Sequence, residues 1–588
     1  MLERSEVWSR YAVARRLSRR SVLVWGGGTA VLVACGGGNN NGGKQAATSS
    51  APTQAATASG AASAAASAPA QSPAAAAATK QPKPGGALSF HIPSPPPSLD
   101  PYTQTSYLCS GMNSMTYSKL FRFRAGTPDV EPSDPSMEPD LAQALPEVAD
   151  PTTITVKLKP GLKWQNVAPT NGRELTSEDV KYAIDRYQNY EKSVHKSLWL
   201  FVDSMQTPDK QTITFKLKFP YADFVNIAGG NLAGYISPKE HAETDAAATK
   251  MVGSGPFIHT DYQTGVSLSW KKNPDFYDKP YPYLDEVKCF ITTDTAKRVA
   301  DFSSKSVDVT WLFLPDERDQ LLKQRPDAKH DFTNGPAGYV YMRTDKAPFS
   351  DARVRQALSM AIDRKAIRDA ITKGEGVEDQ AMYVALSGIT RQVKDLGDSA
   401  KYWKYDVQAA KQLLNAAGVS NLSFDWSHAD ASVYTQAYVD TASLTQAGWK
   451  KDLGISVTDK QQPYSQYIST TYQGNFEGVG HSPRALPYWL DFVTDAYYWG
   501  GSTGRARINL SYINDPQLNA LIDKQRGQFD LNERKKTLTQ IEDIMAAQQY
   551  QIFWSTDTRT FFWAPDVQNY RPTAWFPYTH LMKAWRGT

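Results

Sequence analysis

The chain is poor in the side chains from which metal and redox sites are made. It has three cysteines and eight histidines in 588 residues. It has no C-x-x-C, no H-E-x-x-H and no glycine loop ending in Gly-Lys-Ser/Thr, so the spacings of zinc, metalloprotease and phosphate-loop sites are missing. The histidines are dispersed. One close pair, His428 with Asp430, is a pattern commoner in a solvated turn than in a metal site. No metal and no cofactor is therefore expected. No run of 18 apolar residues occurs, which argues against a membrane-spanning helix of the usual roughly 17–25 residues.

An excess of one charge is also missing, although the formal net charge of +4 hides this. The first twenty residues hold six of the 64 basic residues and two of the 60 acidic ones, so 58 of each remain beyond them. With no basic block in the body, nucleic acid is not an expected partner. One long segment lacks apolar side chains altogether. Residues 36–86 contain no Val, Ile, Leu, Phe, Tyr or Trp. Such a segment buries too little apolar area to offset chain entropy, and it is expected to be a disordered tether spanning roughly 40 Å.

What precedes the tether explains it. Arg4, Arg10, Arg15, Arg16, Arg19 and Arg20 lead into an apolar stretch of 14 residues from Ser21 to Ala34. A positive start, a short apolar run and small residues at its end make a signal peptide over 1–34. Leu32-Val33-Ala34-Cys35 reads as a lipobox, in which Cys35 is lipidated and the leader is cut before it. Ser18-Arg19-Arg20-Ser21-Val22-Leu23 resembles a twin-arginine export signal; a general secretory leader that happens to hold two arginines is the alternative. The expected location is the outer face of the cytoplasmic membrane or the periplasm, with the membrane reached through the lipid alone.

About 500 residues follow the tether, enough for two or three domains. Thr153-Ile154-Thr155-Val156-Lys157-Leu158-Lys159 and Thr212-Ile213-Thr214-Phe215-Lys216-Leu217-Lys218 match at six of seven positions. Both alternate apolar and polar residues, which predicts two half-buried strands of one sheet. Between them, Ser177 is expected to cap a helix whose buried stripe is Val180, Ala183, Ile184 and Tyr187. A second helix is expected after Ser350-Asp351, with Val354, Ala357, Leu358, Ala361 and Ile362 inward. Further amphipathic helices are expected over 406–417, 434–453, 516–527 and 532–547. Strands alternating with helices indicate an α/β architecture. Cys109 and Cys289 follow Cys35; two separate buried thiols are expected, with a disulfide as the alternative that sequence does not settle.

Catalytic motifs are weak. Gly500-Gly501-Ser502-Thr503-Gly504 satisfies G-x-S-x-G, but no helical apolar period follows Ser502, as a nucleophile elbow requires. Ser193 and Lys196 satisfy S-x-x-K without a K-T-G strand after them. Aromatic residues are a stronger signal. Trp426, Tyr434, Tyr438, Trp449, Tyr464, Tyr467, Tyr472, Tyr488, Trp489, Tyr497, Tyr498 and Trp499 crowd one stretch. Such side chains suit ligand clefts, although most are expected in the core.

An ordered set of segments resembles one family. Pro84-Gly85-Gly86-Ala87-Leu88 is followed by Ser98-Leu99-Asp100-Pro101, Pro139-Asp140-Leu141-Ala142 and Leu158-Lys159-Pro160-Gly161-Leu162-Lys163-Trp164. Then come Leu175-Thr176-Ser177-Glu178-Asp179-Val180, Gly253-Ser254-Gly255-Pro256-Phe257 and Lys272-Asn273-Pro274-Asp275-Phe276-Tyr277. Arg353-Val354-Arg355-Gln356-Ala357-Leu358-Ser359-Met360-Ala361-Ile362-Asp363-Arg364 completes the set. The chain from 84 to 588 resembles a family 5 extracellular solute-binding protein of ABC importers, the oligopeptide, dipeptide and nickel class.

The resemblance implies an α/β, type II periplasmic-binding-protein-like fold, with two lobes joined by a two-crossing hinge. Lobe I covers 87–340 with an extra subdomain near 122–250, lobe II covers 341–555, and 556–588 return to lobe I. The crossings are expected near Tyr339–Arg343 and Ile552–Asp557. Gly255-Pro256-Phe257 is expected to set a turn. Peptide-binding members carry a Trp and an acid in the stretch aligned with 476–491, and that acid meets the peptide ammonium. Here the stretch reads Phe476-Glu477-Gly478-Val479-Gly480-His481-Ser482-Pro483-Arg484, with His481 and Arg484 in the neighbourhood and Asp491 or Asp495 as substitutes for the acid. The expected ligand-contacting residues are Tyr339, Trp426, His481, Arg484, Trp489, Tyr498 and Trp499. The implied protein is a monomer that is not an enzyme, takes a peptide-like or saccharide ligand, and has an ABC importer permease as partner. An exported hydrolase and a sensor without a permease are the alternatives.

Overall fold

A computed structural model describes residues 81–588 except 105, 133, 135, 149, 379–389, 484–508, 574–580 and 588. The leader, Cys35 and the tether therefore lie outside the described residues. So do Arg484, Trp489, Asp491, Asp495, Tyr498, Trp499 and Ser502.

The first strand, β1 (Ala87–Ile92), precedes a small antiparallel sheet of β2 (Thr153–Lys157), β3 (Val202–Asp209) and β4 (Thr212–Leu217). The two near-identical segments pair directly, with Ile154 opposite Phe215 and Val156 opposite Ile213. These four side chains are fully buried or nearly so, and they pack on Val180, Ala183, Ile184 and Tyr187 of α1 (Ser177–Asn189). Period-2 strands and a 3.6-residue helix thus bury matching faces. The helix starts one residue earlier than expected. Thr176 is its N-cap, with its N–H donating to Asp179 Oδ2 at 2.9 Å, while Ser177 Oγ donates to Asp209 O at 2.5 Å. A short helix, α2 (Phe224–Gly229), follows β4 and packs in the same core.

The main sheet is built next. It takes β5 (Phe257–Gln263), β6 (Ser267–Lys272), β7 (Glu286–Ile291), β8 (Val309–Leu312) and the long β9 (Lys329–Met342). Helices α3 (Ala352–Met360), α4 (Arg364–Thr372) and α5 (Val407–Ala416) then precede β10 (Ser423–Ala429). They are followed by α6 (Gln436–Leu453), β11 (Ser456–Gln462) and β12 (Val479–Pro483). Finally α7 (Pro516–Arg526) and α8 (Leu531–Gln548) lead into β13 (Gln551–Trp563). Hydrogen bonds run through the order β11-β10-β12-β9-β13-β8-β1-β7-β6-β5, with the short Val377–Glu378 strand beside β13.

Strands β9 and β13 decide the architecture. Their far ends belong to different halves of the sheet. Lys329–Asn334 pairs with Thr558–Trp563 beside β8, whereas Gly338–Met342 pairs with β12. The register of β9 against β13 shifts twice, between Asn334 and Ala337 and between Ala337 and Tyr339. Two antiparallel crossings with an irregular ladder at their middle join the half containing β1 to the half containing β10.

One local expectation is corrected and two are sharpened. Gly253 and Gly255 serve close packing, because a Cβ on either would fall 2.1 or 2.7 Å from Thr116 O. His428 takes its carboxylate partner across the strands, with Nε2 at 3.0 Å from Asp459 Oδ1, while Asp430 caps the following helical turn. Cys109 and Cys289 are free, buried thiols, and the Cys109 Sγ donates to Ser98 O at 2.9 Å. Among the described residues no helix is long and apolar enough to cross a membrane.

Candidate functional site

The crossings carry the described part of the candidate site, and strand alternation sorts its residues onto two faces. Val340, Met342, Ile552, Trp554, Trp426 and Val479 belong to one buried cluster, with Trp449 and Ala442 of α6. Tyr339, Tyr341, Phe553 and Phe476 belong to another, which continues into Tyr221, Phe224 and Trp199 of the small-sheet subdomain. One face of the crossing is thus covered by the helices of its own half. The other looks toward the opposite half.

Tyr339 lies on the inter-half face. Its ring stacks on Phe553, with centroids 6.2 Å apart and planes at 25°. Tyr341 is its neighbour two residues on, and the Tyr341 hydroxyl lies 3.2 Å from that of Tyr467. The Tyr341 ring reaches over Gly480 of β12. A Cβ at Gly480 would come within 2.3 Å of that ring, so only glycine admits it. Tyr341 and Phe553 were not singled out by sequence reasoning. The signal for Tyr341 was present in the period-2 pair Tyr339-Tyr341.

Trp426 and His481, also expected to touch ligand, lie on the helix-covered face. His481 faces Val340 across the ladder, and both Trp426 and His481 have no exposed area. They satisfy each other: Trp426 Nε1 donates to His481 Nδ1 at 2.7 Å. Tyr438 of α6 stacks on the imidazole at 4.0 Å and donates its hydroxyl hydrogen to His481 O at 2.9 Å. Trp426 also stacks on Trp554, and Trp449 Nε1 donates to Leu358 O at 3.0 Å. The imidazole sits under α6.

The electrostatics of this network follow from the geometry. Nδ1 accepts from Trp426, so the neutral imidazole carries its proton on Nε2, and Nε2 has no hydrogen-bond partner among the described residues. Burial first, and the neighbouring His428 second, hold the His481 pKa well below its ordinary value. His481 is neutral at pH 7 and supplies no charge to a ligand. Burial likewise pushes the phenols of Tyr438 and Tyr467 well above theirs, so both act only as neutral hydroxyls.

Among the described residues no group of three or more His, Cys, Asp or Glu side chains is placed to hold a metal ion. The S-x-x-K serine is also accounted for, since Ser193 Oγ donates to Tyr187 O at 2.8 Å.

Comparison with known proteins now decides the family. The sequence profile of the bacterial extracellular solute-binding proteins, family 5, matches residues 136–482. The chain belongs to this family. A dipeptide-binding protein of Escherichia coli is 27% identical over 390 residues, covering 62% of this chain and 69% of the relative. Heme-binding protein A of Haemophilus influenzae is 25% identical over 474 residues, covering 75% of this chain and 81% of the relative. Among solved structures, the oligopeptide-binding protein AppA of Bacillus subtilis, in complex with a nonapeptide, superposes with a TM-score of 0.74 at 21% identity. That likeness covers 86% of this chain and all of the other. The fold is that of the type II periplasmic binding proteins, two lobes joined by a two-crossing hinge, and the family's members are extracytoplasmic binding proteins.

Proposed function

We propose that this family 5 solute-binding protein is lipid-anchored through Cys35. In this reading it captures a peptide-like or other polar organic ligand between its lobes and delivers it to an ABC importer. The observation that carries the reading is the pair of long crossing strands, β9 and β13, whose two faces divide an anchored core from an aromatic surface shared between the halves. Lobe closure about such crossings is a hinge motion that encloses ligand without covalent chemistry. The names of the relatives support a peptide-like ligand as the first class to test. Saccharides follow.

The proposed division of labour differs from residue to residue. Tyr339, on the inter-half face, lies with the ligand surface. Trp426 and His481 hold the end of β12 from beneath. Arg484, the next residue after Pro483 ends that strand, is proposed to hold a ligand carboxylate by a two-pronged hydrogen bond. Trp489, Tyr498 and Trp499 are proposed as apolar walls. Asp491 or Asp495 is proposed to meet an ammonium group if the ligand carries one, because a buried ammonium without a carboxylate is costly.

Native mass spectrometry of protein purified without denaturation tests the reading, with a retained peptide-like mass expected. Tryptophan fluorescence titrated with peptides, oligosaccharides and chelates is the complement, and an unchanged signal with all three sinks the assignment. Arg484→Gln is expected to weaken a carboxylate ligand about tenfold or more. For the anchor, Cys35→Ala is expected to move the protein from the membrane fraction to the soluble extracytoplasmic one. Cytoplasmic, soluble protein in both forms refutes export and lipidation together.

A further inference from the structure

A small cavity lies at the seam between the core of the small-sheet subdomain and the core around β1. Lys119, Arg122, Asp140, Asn231, Pro256 and Met582 are among the residues that line it. Lys119 stands between the helix Tyr107–Thr116 and the strand Phe121–Phe123, Asn231 follows α2, and Pro256 precedes β5. None of these residues is on the crossing strands β9 and β13. The space admits about one or two water-sized groups, too little for a peptide.

Most of the ionic groups around the cavity are engaged with one another. Arg122 donates from Nε to Glu138 Oε1 at 2.8 Å, from Nη1 to Asp140 Oδ1 at 3.3 Å and from Nη2 to Asp278 Oδ2 at 2.6 Å. Lys583 Nζ donates to Glu138 Oε1 at 3.2 Å. Asp140 also accepts from the Lys119 main-chain N–H at 2.8 Å and from the Tyr277 hydroxyl. The Lys119 side chain is the exception. Lys119 is 4% exposed, and its ammonium meets the face of Tyr235 at 4.9 Å but makes no hydrogen bond or ion pair among the described residues. Burial first lowers its pKa to about 8 against the pull of Asp140, so the ammonium is still the main form at pH 7. Asn231 has no exposed area, and neither its amide nitrogen nor its oxygen has a partner among the described residues. Lys119, Arg122 and Lys583 face Asp140, Glu138 and Asp278, so the charges balance. The hydrogen bonds do not. An ammonium has donors only, and an amide offers both its hydrogens against one oxygen, so the unmet groups are mostly donors.

We propose that this cavity is a site for one small monovalent anion, a halide or a carboxylate of formate size, held by the Lys119 ammonium and the Asn231 amide. Such an ion offers acceptors only, which is what the lining lacks. Water brings as many hydrogens as it accepts and leaves the surplus of donors in place. Charge-assisted hydrogen bonds are the stronger kind, so the contact with Lys119 holds the ion in a cluster that is otherwise neutral. The ion ties the segment after Tyr107–Thr116 to the segment after α2. It binds the folded chain alone, and it therefore stabilises the fold by mass action. The site is separate from the proposed ligand surface between the halves, and it stands or falls independently of that reading.

The test uses the full chain carrying Cys35→Ser. In crystals grown with bromide, an anomalous peak is expected in contact with Lys119 Nζ and Asn231 Nδ2. In solution the thermal midpoint is expected to rise with the logarithm of chloride or formate concentration, relative to gluconate at the same ionic strength, because gluconate is too large for the cavity. The chloride and formate arms separate a halide from a carboxylate. Asn231→Asp supplies acceptors from the chain itself beside Lys119. It is expected to lose the bromide peak and to melt at the same midpoint in all three salts, and it controls for general salt effects. Lys119→Met is expected to lose both signals as well; should it fail to fold, Asn231→Asp still decides. Ordered water where bromide is expected, or a parent midpoint equal in the three salts, overturns the site. So does an Asn231→Asp chain that responds to chloride or formate as the parent does. A bromide peak without any difference in midpoint is an adventitious ion only and overturns it too.

Discussion

Acidification should destabilise this protein through its buried imidazoles, and His481 allows the effect to be isolated. The perturbation is a fall in pH from about 7.5 to about 5. In the fold, His481 Nδ1 accepts the Trp426 indole hydrogen at 2.7 Å. Protonation puts a hydrogen on Nδ1, donor against donor, in a site from which water is excluded. The folded pKa is accordingly held well below 6.5, with burial as the first cause. In the unfolded chain it lies near 6.5. A folded pKa below the unfolded one means the stabilisation is complete above about pH 6.5 and is lost as the pH falls toward the folded value. Each pH unit in that window removes about 1.4 kcal/mol, so His481 alone accounts for about 2 kcal/mol between pH 6.5 and 5. His91 and His259, lowered to about 4 chiefly by burial, add comparable losses over the same window. The measurement is the free energy of urea unfolding at several pH values, in the parent and in His481→Gln. The amide oxygen of Gln accepts from Trp426 and does not titrate here. Any fixed cost of the substitution displaces the curve, whereas the lost titration flattens it by about 1.4 kcal/mol per pH unit. Parallel curves for the two proteins would show that the imidazole is not the buried neutral acceptor described.

Three other outcomes follow from the same geometry. Gly480→Ala drives a methyl into the Tyr341 ring, which is packed and hydrogen-bonded to Tyr467, and should cost about 1–3 kcal/mol in thermal or urea unfolding; an unchanged midpoint contradicts the close approach. Trp426→Phe removes the only donor to His481 Nδ1 and should cost about 1–3 kcal/mol beyond any cavity. A double-mutant cycle with His481→Phe should give a coupling above about 0.5 kcal/mol, and additivity refutes the pair. Cys109 and Cys289 should resist a thiol reagent in the native Cys35→Ser chain and react fully in denaturant. Both thiols are buried with pKa values pushed up by desolvation, and native reaction or a mobility change on reduction contradicts this.

The parts of the fold readable from sequence are those in which one short segment determines its own geometry. The pair at 153–159 and 212–218 alternates so regularly that both the strands and their partnership follow. The stripe Val180, Ala183, Ile184 and Tyr187 likewise defines one helical face, although its cap shifted by a residue because Thr176 and Asp179 form the better reciprocal pair. What the sequence hides is which face of a strand meets which neighbour. Trp426 opens the long aromatic run that ends at Trp499, yet nothing in that run says that it turns toward α6. His428 stands two residues from Asp430 and bonds Asp459, because β10 and β11 lie side by side. Asp223 and Arg534 form an ion pair across 311 residues, and no local pattern links them. Gly255 reads as part of a turn, and the carbonyl of Thr116 that it and Gly253 also accommodate is invisible in the sequence.

The crossing strands also explain why the family's acid can be missing without damage to the fold. On β9 and β13 the residues facing the helices, Val340, Met342, Ile552 and Trp554, make the core of lobe II, and those facing the other way make the surface between the lobes. A substitution on the second set, or just beyond β12, changes what is bound and leaves the first set intact. His481 belongs to the first set by alternation, because it faces Val340 across the ladder. Its ring is spent on Trp426 and Tyr438, and its neutrality removes it as a source of charge. In the proposed reading the ligand's charge is met by residues after Pro483. Arg484 is the first of these and Asp491 and Asp495 follow, which makes single substitutions at these three positions the shortest route from this fold to its ligand.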